Sequence, residues 1–301
     1  MRNEFRRSIP KSARLLWFIS ILLLSACGVP AQPTVIPTPA PIIIPVVATP
    51  DPTQTSAPTA TAAPTPTAFV TAPALGKPAI VPILMYHHIQ VLASDATELQ
   101  LTWTVSPQNF DAQMALLARR GFHTITMGQL VAHLKNGQPL PAKPIIVSFD
   151  DGWEEQYASA FPILKKHQLI GTFFVYTQPI DHGQFMTWTQ LKEMSAAGMD
   201  IQAHTLTHPH LRTLAPDEAM KEIADSKSII EKHLGKPVVA FDYPFGEYNA
   251  SILDMVKRAG YESAVTLAAG YNQRVDDLFT LHRIRVSYQD ALEEFGKRLP
   301  P

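Results

Sequence analysis

Thirteen of the chain's 27 prolines fall between Val29 and Ala79. Each removes a backbone N–H donor and fixes φ, so a stretch this dense in proline can build neither a helix nor a central strand. Only Asp51 and Lys77 are charged there, and Ala, Thr, Val and Ile fill the rest. That is linker composition, and about 50 residues in polyproline-II geometry reach roughly 150 Å. The run Pro41 to Val47 is apolar enough for a strand, but its flanking prolines argue against pairing on both edges. Residues 27–79 are therefore expected to be a disordered linker, and residues 80–301 one α/β domain.

Upstream, Arg2, Arg6, Arg7, Lys11 and Arg14 precede an apolar run from Leu15 to Leu24 that ends in Ser25, Ala26 and Cys27. A basic start, a short apolar middle and small residues at the end form a secretory signal over residues 1–26, and the run is too short to span a bilayer comfortably. Leu24-Ser25-Ala26-Cys27 resembles the lipobox of bacterial lipoproteins, which implies a lipidated Cys27 as the first mature residue. The expected product is an extracytoplasmic, membrane-anchored protein, since acyl chains contribute about 0.8 kcal/mol per buried CH₂.

The composition, 46% hydrophobic and 17% charged, is that of a globular protein. With 25 Lys plus Arg against 26 Asp plus Glu, there is no basic excess, and nucleic acid is excluded as a partner. Loss of residues 1–26 removes five basic residues and Glu4, leaving a mature charge of about −5 that disfavours polyanions. Cys27 is the single cysteine, which excludes an internal disulfide and any Cys-cluster metal site. A metal would have to be held by His and carboxylates.

Short β-rich runs alternate with amphipathic segments from residue 80 onward. Strands are expected at 80–86, 123–126, 144–149, 171–176, 199–203, 238–241, 262–266 and 281–286, with helices after Ser106-Pro107 and at 127–135, 154–167, 187–197, 216–234 and 249–259. Seven or eight βα units in about 220 residues predict a distorted (β/α) barrel with about seven parallel strands; an open doubly wound sheet is the alternative. No glycine-rich phosphate fingerprint follows any strand, so nucleotide binding has no support.

Chemistry-bearing residues collect where strands end. Ser148-Phe149-Asp150-Asp151-Gly152 puts two adjacent carboxylates after one strand, and His204-Thr205-Leu206-Thr207-His208 puts two imidazoles four residues apart after another. Separately, the first is a common turn and the second a common surface pattern. Together, two His and one carboxylate make a facial triad that leaves coordination positions open.

These segments, with Tyr243-Pro244-Phe245-Gly246, stand in the order and strand-end context of the polysaccharide deacetylases, the NodB-homology or carbohydrate esterase family 4, and the chain resembles that family from about Val81 to Val286. The opening Ile83-Leu84-Met85-Tyr86-His87-His88-Ile89 is similar to a subgroup whose domain starts on a Tyr-His-His strand. The resemblance implies Asp150 as catalytic base, and Asp151, His204 and His208 as ligands of a divalent metal, zinc by default with cobalt or nickel as alternatives. It also implies that the backbone N–H of Phe245 holds the oxyanion, and that His282 in Leu281-His282 is the general acid, with Tyr86 and His87 as rivals. Trp153, Trp188 and Tyr243 would offer faces to sugar rings unless they pack in the core.

Two departures stand out. Asp242 occupies the place where the family often has an arginine paired to the base; an inward carboxylate there would raise the pKa of the base, unless Arg283 or Arg285 takes the role. No tryptophan lies between Leu267 and Leu278 to supply the family's fourth motif. The resemblance thus implies a monomeric hydrolase removing N-acetyl groups from a GlcNAc-containing polysaccharide such as peptidoglycan, exopolysaccharide or chitin. An O-acetyl xylan esterase and a non-catalytic carbohydrate-binding relative are the alternatives. The tether has its own test: Cys27→Ser is expected to move the protein out of the membrane fraction or block its processing, read by fractionation and intact mass. Wild-type protein secreted in soluble form without Cys27 would contradict it.

Overall fold

The computed structural model describes residues 76–301. The expected signal at 1–26, Cys27 and the linker up to residue 75 lie outside the described residues. Seven strands, β1 (Ile83–Tyr86), β2 (Pro144–Phe149), β3 (Thr172–Val175), β4 (Asp200–Ala203), β5 (Ala240–Asp242), β6 (Ser263–Ala269) and β7 (Leu281–Arg285), carry the fold. Each pairs parallel with the next in sequence, and β7 pairs back onto β1. The ring is closed, as the barrel expectation required, and not an open doubly wound sheet. The strand expected at 123–126 is only His123–Thr124, paired with Pro144 and Ile145 at the start of β2 and outside the ring. Its residue Thr126 already caps the next helix, which leaves no room for a longer strand.

Among the described residues eight α-helices accompany the strands: α1 (Glu98–Trp103), α2 (Pro107–Arg119), α3 (Met127–Asn136), α4 (Phe161–Lys166), α5 (Trp188–Ala196), α6 (Pro216–Leu234), α7 (Ala250–Arg258) and α8 (Leu292–Lys297). Side chains of Thr97, Ser106, Thr126, Thr187 and Asn249 accept from the backbone N–H three residues on, satisfying a donor each helix start would otherwise leave bare. None of the helices among the described residues is long and apolar enough to cross a membrane. Ahead of β1, Ala79–Ile80 pairs antiparallel with Asn272–Gln273.

Strand alternation divides the side chains into two sets. One face, with Leu84, Phe149, Phe173, Ile201, Phe241 and Ile284, packs in the large cluster that includes the helices. The opposite face, with Ile83, Ile146, Phe174, Ala240, Val265 and Leu281, fills the lower part of the barrel together with Met127 and Leu130 of α3. Continuing that inner parity toward the carboxyl ends brings His87, Asp150, His204, Asp242 and Arg283 to one mouth. The barrel core is apolar below and ionisable above.

The helix expected at 154–167 is interrupted. Residues Gln156–Ala160 form a π-helical turn before α4, and it aims buried Gln156 at the Asp150 and His87 carbonyls, 2.6 and 2.8 Å from its Nε2. Such turns concentrate at functional sites because they re-aim a side chain at the expense of regular hydrogen bonding.

Packing between β2, β3 and α4 leaves no space at Gly171: a Cβ there would stand 2.9 Å from Leu164 and 3.0 to 3.1 Å from the Phe173 and Phe149 rings. Those rings are stacked at 4.7 Å and have little freedom to yield. Gly171→Ala is expected to destabilise the domain by about 1–3 kcal/mol. Urea denaturation measures this, and an unchanged midpoint would contradict the tight packing.

Candidate metal and acyl-transfer site

Loops at the carboxyl ends of β1, β2, β4 and β5 build the mouth, and the last three are backbone-strained. Of the seven non-glycine residues with left-handed φ among the described residues, Asp151 (+77°), Thr205 (+72°), His208 (+60°) and Phe245 (+59°) lie here. Such conformations cost on the order of 1–3 kcal/mol each and persist only where surroundings enforce them. At Asp151 the strain turns the chain so that adjacent carboxylates point to different places. Gly152 follows with φ +85°, and a Cβ there would stand 3.1 Å from Val175.

Asp151, His204 and His208 converge, with one donor atom from each lying within 4.8 Å of the others. His204 Nε2 and His208 Nε2 each stand 3.6 Å from Asp151 Oδ1. This is too long for hydrogen bonds, but three ligands about 2.1 Å from a common ion stand about 3.4 Å apart at near-tetrahedral angles. The donor set therefore fits a divalent cation. The His204 ring is held for it: Nδ1 lies 2.8 Å from the Asp242 carbonyl oxygen, leaving Nε2 to face the cluster. Burial, followed by the neighbouring His204, pushes His208 down to about 4, so its ring is neutral and has a lone pair to give. Burial likewise lowers His204 despite the carboxylates beside it. Asp151 Oδ2 accepts from Trp153 Nε1 at 3.0 Å, which leaves Oδ1 toward the histidines.

Asp150 sits beside this cluster, buried, with Oδ1 accepting from Arg283 Nη1 at 2.8 Å and Oδ2 3.6 Å from His87 Nε2. Arg283 also donates to Asp242 Oδ1 at 3.0 Å and to the Thr266 carbonyl at 2.9 Å. Burial pushes Asp150 up, but the Arg283 guanidinium, with His87 and His204, outweighs it and holds the carboxyl below the usual carboxylate range. Asp242 goes the other way: burial and the adjacent Asp150 exceed the pull of Arg283 and hold it well above that range. Its Oδ2 has no hydrogen-bond partner among the described residues and lies 3.4 Å from His204 Nδ1. The inward Asp242 is thus accommodated, and Arg283 is the cation facing Asp150; Arg285 instead lies over the Trp103 ring at 4.4 Å.

The mouth opens into a cavity of about 680 Å³ whose lining includes His87, Asp150, Asp151, His204, His208 and Phe245. Several expected contacts lie elsewhere. His282 is on the outer parity of β7, opposite Arg283 and against Gly270, with its backbone paired to Gln273, and it does not line the cavity. Tyr243 lines the cavity, but its ring has the outward parity: it packs on Phe241 and Tyr248, and its hydroxyl donates to the Phe279 carbonyl. Trp153 stacks on Phe185 at 4.5 Å and serves Asp151, so its face is not open to a sugar. Trp188 stacks on His233, and the Tyr86 hydroxyl is buried on Gln113.

His87 and Phe245 do reach the cavity. Burial lowers His87, against the pull of Asp150 and Asp151, and its ring packs on Trp103 at 4.4 Å. Half-exposed Phe245 stacks on His210 at 4.0 Å. Its backbone N–H has no acceptor among the described residues. Gly246, φ +67°, completes that turn where a Cβ would strike Leu267 at 2.5 Å. Trp103, with Leu99 and Gln100 of α1, forms a wall the sequence reading missed. The signal was present in Thr97 and Gln100, whose reciprocal capping box starts that helix.

A family model described as polysaccharide deacetylase matches residues 137–264. The Bacillus subtilis protein YxkH, which carries a polysaccharide deacetylase name, is 34% identical over 220 residues, covering 73% of this chain and 76% of that one. A Staphylococcus aureus poly-β-1,6-N-acetyl-D-glucosamine N-deacetylase is 26% identical over 210 residues, covering 65% and 72%. Among solved structures, the Streptococcus pyogenes deacetylase PplD in complex with acetate superposes with a TM-score of 0.70 at 31% identity, over 75% of this chain and 100% of that one.

The Trp153 contact generates a direct test of ligand orientation. Trp153→Phe keeps a ring on Phe185 and loses the N–H to Asp151. It is expected to weaken Zn²⁺ binding about 10-fold, read by competition with a chromophoric chelator. An unchanged Kd would mean that Asp151 holds its orientation without the indole.

Proposed function

The chain belongs to the polysaccharide deacetylase family, and on that premise we propose that it is a divalent-metal-dependent N-deacetylase of a GlcNAc-containing polysaccharide, working outside the cytoplasm on a lipid tether at Cys27. The observation that carries the reading is the Asp151, His204 and His208 cluster with the ionised Asp150 beside it in one open cavity. The naming of the Staphylococcus aureus relative supports an exopolysaccharide of the poly-β-1,6-GlcNAc type as the first substrate to try. The tether and the division into signal 1–26, linker 27–79 and catalytic domain 80–301 rest on the sequence pattern.

When bound by Asp151, His204 and His208, a divalent cation, zinc by default, supplies Lewis acidity toward the acetyl carbonyl and makes water acidic near neutral pH. Asp150, kept ionised by Arg283, takes the proton from the attacking water. The Phe245 N–H donates to the oxygen on which negative charge develops. As the C–N bond breaks, the departing nitrogen needs a proton, and His87 is the group we assign to deliver it. Its Nε2 is 3.6 Å from Asp150 Oδ2, beyond hydrogen-bond length, so relay of the base's proton through the imidazole to the amine requires the two groups to close by about 0.5 Å in the reacting complex. Acetic acid and a free amine leave, with water consumed and no net proton change within the protein; the acid then ionises to acetate by giving its proton to solvent or to the amine. Arg283 beside Asp150 answers the first of the two grounds for the non-catalytic alternative, Asp242 and the missing fourth-motif tryptophan.

Acetate release from β-1,6- and β-1,4-linked GlcNAc oligomers, peptidoglycan and acetylated xylan, with and without chelator, tests the proposal. GlcNAc polymers are expected to release acetate, and chelation to abolish it. Asp150→Asn and His87→Ala are each expected to lose about 10²- to 10⁴-fold in kcat, whereas His282→Ala stays near wild type. Release from acetylated xylan only would make the protein an esterase, and a fully active His87→Ala would remove His87 from the reaction.

A further inference from the structure

The loop that carries both histidines is short, strained and held from outside by one carboxylate. Between His204 and His208 the chain turns through left-handed φ at Thr205 and again at His208. A β-branched threonine in that region is a true outlier, so something must oppose relaxation. The loop carbonyls are held from the end of β3, where Thr177 N–H donates to the Thr205 oxygen at 3.1 Å and Gln178 N–H to the Leu206 oxygen at 2.8 Å. The loop N–H groups face the opposite way. Those of Leu206 and Thr207 both donate to Glu222 Oε2 at 2.9 Å, and the Thr207 hydroxyl donates to Glu222 Oε1 at 2.8 Å. The His208 N–H is closed by Thr205 Oγ1 at 3.0 Å.

Glu222 stands in the second turn of α6, 14 residues after His208 and on a different element from either ligand. Successive N–H groups converging on one oxygen form a concave cradle for an anion, and here the anion is part of the chain. Hydrogen bonds to an ionised acceptor are roughly twice as strong as neutral ones. Three of them on a rigid helix are enough to set the loop's shape before any ligand arrives.

We propose that Glu222 is a positioning residue that holds the 205–208 loop in the strained form presenting His204 and His208 together to the metal. The inference rests on the proposed metal-binding role of those histidines. It assigns Glu222 no contact with substrate: its effect passes entirely through the loop.

Charge and reach can be separated. Glu222→Gln keeps the length and an acceptor oxygen but loses the charge; Glu222→Asp keeps the charge and falls one methylene short; Glu222→Ala loses both. Zn²⁺ affinity, measured on folded protein by competition with a chromophoric chelator, is expected to fall about 10- to 100-fold in Ala and Asp and by less, about three- to tenfold, in Gln, which keeps the reach but loses the charge. For loaded enzyme, KM should be unchanged in all three. Should Ala not fold, Asp and Gln decide the matter. Asp at wild-type affinity, or Gln as weak as Ala, would overturn positioning by reach. Equal affinity in all four proteins would overturn the proposal outright. Wild type that binds no Zn²⁺ would instead defeat the metal reading on which it rests.

Discussion

One buried guanidinium organises the catalytic end of this barrel. Arg283 rises from β7 and donates to the Thr266 carbonyl on β6, to Asp242 at the end of β5 and to Asp150 just past β2. It thereby ties strands on both sides of the ring and places a cation between two carboxylates that burial alone would force to neutralise. The opposite pKa directions of Asp150 and Asp242 follow from this shared partner. A base must be ionised at rest, and in a dry site that state needs a fixed counter-charge. Asp242, pushed up by burial and by the adjacent Asp150, uses its backbone carbonyl to fix the His204 ring and so joins the proposed base to the proposed metal ligands.

The ring itself was legible in the sequence because hydrophobic alternation and strand spacing are local properties. Segments such as Pro144–Phe149 and Thr172–Val175 are nearly all apolar, as strands covered on both faces must be. The same alternation, followed to the strand ends, would also have sorted the site. His282 and Tyr243 are one residue out of phase with Arg283 and Asp242, so the His282 side chain lies against Gly270 and the Tyr243 ring turns to Phe241 and Tyr248. Motif order drew attention to them, but parity decides which side of a strand a residue serves.

Other parts were not legible for a different reason. Trp103 reaches the cavity from a six-residue helix whose only announcement is a capping box, and Gln156 reaches the site through a π-helical turn that no period reveals. Trp153 reads as a sugar platform beside a motif, yet its N–H is spent on Asp151. Glu222 belongs to no motif and stands in the second turn of an ordinary amphipathic helix. Each depends on where two distant segments meet, and that is a property of the closed fold.

The central claim is that Arg283 sustains Asp150 as a buried carboxylate, and a double-mutant cycle in urea at neutral pH tests it most directly. Arg283→Met alone should cost about 3–5 kcal/mol, because a charged Asp150 is left without its partner. Adding Asp150→Asn should then recover part of that loss, giving a coupling of about 1–3 kcal/mol between the two positions. Additivity within about 0.5 kcal/mol would contradict the account, since two groups that do not sense one another cannot be base and counter-ion.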